Sequence, residues 1–184
     1  MRGMNLMYYG QNVHQCPCYA DVPMCPAYYY RNQRSIQYFP YSEARAYPPI
    51  SFRDYGKEPF IVNIEAATKQ NNTFRTALWT GNHLQLTLMS INVGDDIGLE
   101  IHPNLDQFIR IEEGQGLVQM GDAKERLDFQ AYVRDDFAFI IPAGKWHNLI
   151  NTGNIPLKLY SIYAPPQHPY GTVHVTKADA LAAE

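Results

Sequence analysis

From His83 to Pro165 the chain is cut into short runs, HLQLTLMSI, IGLEIH, QFIRIEE, GLVQMGD, FAFIIPAG, HNLIN and LKLYSIYAP, and nearly all are closed by turn residues such as Pro-Asn, Gly-Gln-Gly and Asn-Thr-Gly. Runs of this length are too short for packed helices but match strands, and many short strands at close spacing are the mark of an all-β sandwich or barrel. Alternation is clearest in HLQLTLMSI, where Leu84, Leu86 and Leu88 share one face and His83, Gln85, Thr87 and Met89 the other. Upstream, NNTFRTALWT reads as a further strand, and FIVNIEAATKQ predicts a short helix around Ile61 to Lys69 before the barrel. The tail, HPYGTVHVTKADALAAE, ends in a short helix.

A chain of 184 residues is about one domain's worth, with room for an extension. Ten of the 14 tyrosines and six of the 13 prolines precede residue 56, and all three cysteines, Cys16, Cys18 and Cys25, lie there too. Proline removes ladder donors, and no helical or strand period is visible, so residues 1–55 read as an irregular Tyr/Pro/Cys-rich arm and 56–184 as the barrel domain with a short C-terminal tail. A net charge of -3 offers no broad basic field for a phosphate backbone, which argues against nucleic acid and for a small-molecule ligand. No apolar window reaches the length of a membrane span, and MRGMNLMYYGQN lacks the apolar stretch of a secretory signal, so a cytoplasmic protein away from membranes is expected. With no cysteine in the barrel, any metal there must be held by nitrogen and oxygen.

Gly94, Glu100, His102, Gln107 and Gly114 fall at the intervals of the first cupin motif, and Pro142, Gly144, His147 and Asn151 at those of the second, with Asp136 in place of its first glycine. The chain therefore resembles the cupin superfamily over residues 94–151. The resemblance implies a double-stranded β-helix, a jelly-roll-like barrel, with a divalent metal in its mouth held by Glu100, His102, Gln107 and His147. The family's usual three histidines and one carboxylate become two histidines, one carboxylate and one amide. Such a set suits Fe(II), Mn(II), Ni(II) or Co(II), with zinc less favoured. Residues 100 and 102, two apart in a strand, point to one face.

If Gln107 faces inward, so do Ile109 and Ile111, while Phe108, Arg110 and Glu112 face out. In the last long strand Leu157, Leu159, Ser161 and Tyr163 are then inside and Lys158 outside. The candidate catalytic residues are Glu100 and Tyr163. Gly94, Gly114 and Gly144 read as turn residues with positive φ, His83 as a structural histidine, and His168 and His174 as surface-loop histidines, with closure over the barrel mouth as the alternative.

By resemblance, the expected activity is isomerisation or oxygenation of a small polar, sugar- or carbonyl-like molecule by a homodimer or larger homo-oligomer. The alternatives are a non-catalytic ligand-binding cupin, or a subunit of a bacterial spore-coat-like assembly joined through the Tyr/Cys-rich arm.

Overall fold

The computed structural model describes residues 49–183. The predicted strands pair into two antiparallel sheets. In chain order the elements are α1 (Ile64–Gln70), β1 (Arg75–Thr80), β2 (Gln85–Ile91), β3 (Glu100–Ile101), β4 (Asp106–Glu113), β5 (Gln115–Gly121), β6 (Phe129–Arg134), β7 (Ala138–Ile141), β8 (Trp146–Asn151), β9 (Leu157–Ala164), β10 (Val173–His174) and α2 (Lys177–Leu181). The larger sheet runs β10-β1-β2-β9-β4-β7 and the smaller β3-β8-β5-β6. The helix before the barrel starts later than the sequence suggests, because the Asn63 side chain accepts from the Ala66 amide and fixes the N-cap there. Strand β6 was not anticipated: in FQAYVR, Gln130, Tyr132 and Arg134 are all exposed and of the opposite parity only Val133 is fully buried, and the strand is held by its full ladder with β5.

Ladder partners project side chains to the same face, so register shows what the inside of the barrel contains. Across β2, β9 and β4 the inward rows are Gln85–Tyr163–Gln107, Thr87–Ser161–Ile109 and Met89–Leu159–Ile111, followed by Ile91–Leu157. The facing sheet places Glu100 and Met120 beside His147, then Val118 beside Leu149. Both walls therefore grade from polar at one end to apolar at the other. The apolar rows form the main core, where Met89, Ile91, Ile109, Ile111, Val118, Leu149, Leu157 and Leu159 are all buried.

The leucine face of β2 turns outward. Leu86 and Leu88 pack with Leu78, Tyr160 and Ala67 of α1 in a second apolar cluster. This explains two departures from the simple inside–outside expectation. Lys158 is on the outer face as predicted, yet it is buried, because its ammonium bonds the Asn71 carbonyl at the C-terminal end of α1 and the Asn72 side chain (2.9 Å). Glu112 is likewise outside the lumen but covered, beside a bulge in the β4–β9 register, with its carboxylate 3.3 Å from Arg110 Nε.

Asp54, placed in the arm on composition, is buried against β1: its carboxylate accepts from the Thr80 amide (2.9 Å), the Thr80 hydroxyl (2.6 Å) and the Gly171 amide (3.0 Å). The three cysteines and the Tyr-rich stretch lie outside the described residues, as does the coat-assembly reading that depends on them. Among the described residues no helix is long and apolar enough to cross a membrane.

The turn residues behave as expected. Gly94, Gly114 and Gly144 all have positive φ. At the motif departure, Asp136 itself takes φ 69°, the only described residue other than glycine to do so, and its carboxylate accepts from Arg110 at 2.7 Å. Aspartate tolerates the left-handed region better than most side chains, so the backbone shape of the missing glycine is kept.

Candidate metal centre

Three of the four predicted ligands meet at the polar end of the barrel. Glu100 is the ladder partner of His147, and His102, two residues on, falls on the same face. Glu100 Oε1 lies 3.3 Å from His147 Nε2 and 3.4 Å from His102 Nε2, and the three ligand atoms all lie within 4.8 Å of one another. Both imidazoles are buried, with ring centroids 5.2 Å apart.

The tautomer of His147 is set locally. Its Nδ1 is 2.9 Å from the Lys145 carbonyl, an acceptor only, so Nδ1 carries the proton and Nε2 presents its lone pair to the cluster. His102 Nε2 is buried without a hydrogen-bond partner of good geometry. Burial tends to raise the Glu100 carboxyl, but the bonds and charge of His102 and His147 outweigh it and hold the carboxyl at about 2. One ionised carboxylate, one imidazole with a defined tautomer and one orphaned imidazole nitrogen together offer the mixed oxygen and nitrogen donors that divalent cations accept.

Gln107, the fourth predicted ligand, lines the facing wall. Its amide nitrogen donates to Ser161 Oγ (2.9 Å), and its Oε1 is buried and unpartnered. Tyr163, its ladder partner, is fully buried with an unpaired hydroxyl, and its ring meets His102 edge-on at 5.7 Å. Burial keeps the phenol above its usual range, so it stands in the lumen as a neutral O–H.

A model of the cupin domain matches residues 87–163, the stretch that builds these facing walls. The chain belongs to the cupin superfamily. It is 57% identical to the uncharacterised protein YrkC of Bacillus subtilis, over 97% of this cupin and all of that protein. It is 40% identical to the uncharacterised protein L612 of Acanthamoeba polyphaga mimivirus, over 64% of this cupin and 72% of that protein. Among solved structures, BH2720 from Bacillus halodurans is similar with a TM-score of 0.70 and 70% identity, covering 71% of this cupin and 98% of that chain. An uncharacterised conserved protein with a double-stranded β-helix domain from Klebsiella pneumoniae shares the fold at 17% identity, with a TM-score of 0.50 over 64% of this cupin and 98% of that chain.

One expectation about the site needs correction. His168 and His174 are not surface-loop histidines: both are partly buried, and their rings continue a chain from His102 and Tyr163, with Tyr163–His168 at 5.1 Å and His168–His174 at 6.4 Å. Gln85 holds this loop in place, donating to the His168 carbonyl (2.8 Å) and accepting from its amide (2.9 Å). His83 lies before β2 and is exposed. The residue that sequence reasoning missed altogether is Arg75, an arginine in a strand outside both motifs. The one available signal was its period-2 relation to Ala77 on the inward face of β1, which an arginine ordinarily avoids.

Proposed function

We propose that the protein is a metal-dependent cupin in which Glu100, His102 and His147 hold one divalent cation, with Gln107 Oε1 facing the lumen as a further oxygen donor, and that it acts on a small polar molecule. The observation that carries this reading is the approach of the Glu100 carboxylate to two buried imidazole Nε2 atoms within one cluster. A largely buried carboxylate facing two imidazole Nε2 atoms is a site whose charge a divalent ion would offset. The ligand types favour Fe(II), Mn(II), Ni(II) or Co(II) over zinc.

A cation held there polarises a carbonyl or hydroxyl oxygen of a bound substrate, which suits isomerisation or oxygenation. The protein's own groups do the rest. Tyr163, as a neutral phenol, donates a hydrogen bond to a substrate oxygen, and Gln107, fixed by Ser161, accepts one. The apolar rows below exclude water from the reacting atoms.

The test is elemental analysis of full-length protein purified at neutral pH without chelator, beside the His102→Ala, His147→Ala double variant. About one divalent transition metal per chain in the first, lost in the second, is expected. Equal metal content in both proteins would remove the reading.

A further inference from the structure

Arg75 is 1% exposed, among the largest fully buried side chains of the barrel. Its Nε and Nη1 have no hydrogen-bond partner, and it takes part in none of the ion pairs among the described residues. Its ladder partners are Met89, on the lumen side of β2, and His174, so the side chain projects inward rather than toward α1. A guanidinium keeps its charge when buried, and a buried cation without a counter-charge is costly. Folded proteins retain such a group where something else satisfies it.

The surroundings say what that is. Tyr163 and His168 each feel both the Arg75 cation and the Glu100 carboxylate. Tyr163 meets the His102 ring edge-on at 5.7 Å and also neighbours Arg75, so the guanidinium and the Glu100 cluster share this aromatic neighbour. Besides Arg75, the polar atoms on this inner wall without a well-formed partner are Thr87 Oγ1, Gln107 Oε1 and the Tyr163 hydroxyl, the last within reach of Ser161 and Arg75. Glu100 brings one negative charge to a divalent ion, and Arg75 adds a further positive one. The occupied lumen therefore carries excess positive charge that a neutral ligand leaves uncompensated and an anion neutralises.

We infer that Arg75 is an anion-recognition residue and that the barrel takes a short carboxylic acid bearing a second oxygen. The carboxylate lies on the guanidinium Nε and Nη1, and the adjacent carbonyl or hydroxyl oxygen points toward Glu100, His102 and His147. The guanidinium fork presents two parallel N–H donors at the spacing of a carboxylate's oxygens. A single arginine with one phenol suits a singly charged carboxylate better than a doubly charged phosphate, which calls for more donors. The placement of the second oxygen rests on the metal reading above; the carboxylate's seat on Arg75 does not.

The experiment is calorimetric titration of full-length protein, as purified and after Co(II) loading, with pyruvate and lactate. Acetone and 1,2-propanediol serve as partners lacking the carboxylate, and inorganic phosphate as the competing anion. Wild type is compared with Arg75→Met, which keeps the length and removes the charge, and with Arg75→Lys. Both acids are expected to bind wild type and to bind Arg75→Met more weakly by about tenfold or more, as for loss of hydrogen bonds to a charged group. Arg75→Lys should retain part of the affinity, and the neutral analogues should not distinguish wild type from Arg75→Met. Metal content is expected to be unchanged in Arg75→Met, and its melting temperature equal or higher, because an unpaired buried charge is gone.

Equal binding of the acids to wild type and Arg75→Met, no binding to wild type, or tighter binding of phosphate than of either acid overturns the inference while leaving the metal reading intact. A markedly lower melting temperature for Arg75→Met also overturns it, by making the arginine a structural group. Should no metal be found while pyruvate still stabilises wild type and not Arg75→Met, the metal reading falls and the arginine's role stands.

Discussion

Glu100 and His147 are direct partners across the β3–β8 ladder, and the same pairing that zips the two strands sets Oε1 3.3 Å from Nε2. The ligand geometry is thus a property of backbone register and needs no ordered loop to assemble it. Glu100→Gln keeps the shape and removes the only negative charge of the cluster. It should weaken Co(II) or Ni(II) binding by more than about tenfold, since even outer partners of metal ligands commonly contribute that much. Wild type at metal concentrations about 100 times Kd should gain about 2.7 kcal/mol of stability, and the variant little of it. Thermal melts with and without added metal measure both. Because Glu100 remains a carboxylate down to about pH 2, loss of metal on acidification should follow proton competition at the imidazoles, with no added step from the carboxyl.

Burial, reinforced by the charge of Arg75, pushes His168 down to about 3. In the unfolded chain a histidine protonates near its ordinary value of about 6.5. Between these limits the unfolded state binds the extra proton, so stability falls as pH drops from about 6.5 toward 3 and is level above that window. One such group contributes a slope of at most about 1.4 kcal/mol per pH unit. His168→Phe, which keeps an aromatic ring against Tyr163, should flatten this part of the profile of urea-unfolding free energy. An unchanged slope would mean that the imidazole is not held neutral.

Gln85 grips both the amide and the carbonyl of His168 and also donates to Thr80 Oγ1. Gln85→Leu leaves those buried backbone groups without partners and should cost about 1–3 kcal/mol. Faster amide exchange should appear across residues 166–171 and not in the central β9 ladder, as read by native-state hydrogen exchange.

Asp136 occupies a glycine position of the motif in the left-handed region. Asp136→Gly relieves the backbone while losing an exposed ion pair with Arg110, and should be neutral or stabilising by up to about 1 kcal/mol. Asp136→Ala loses the ion pair and keeps the strain, and should cost about 1 kcal/mol relative to the glycine variant. Chemical denaturation of the two variants side by side measures the difference.

The barrel and the meeting of Glu100, His102 and His147 were legible because spacing encodes them: two residues apart in a strand means one face, and turn glycines fix where strands return. The inward sets of β4 and β9 followed from the same parity. What parity could not show was burial on the outer wall, since Lys158 and Glu112 are covered by an element, α1, whose docking the strand pattern does not contain. The histidines beyond β9 were misjudged because loop residues carry no period, and long-range bonds such as those of Gln85 hold His168 beside Tyr163. Arg75 was invisible for a related reason: a lone charge in an otherwise apolar strand reads as solvent-facing until the partner strands are known.

The grading of both inner walls, from Gln85, Tyr163 and Gln107 at one end to Ile91 and Leu157 at the other, makes the chamber a cul-de-sac. Any ligand that reaches Glu100, His102 and His147 would therefore meet polar side chains first and a sealed apolar floor beyond them.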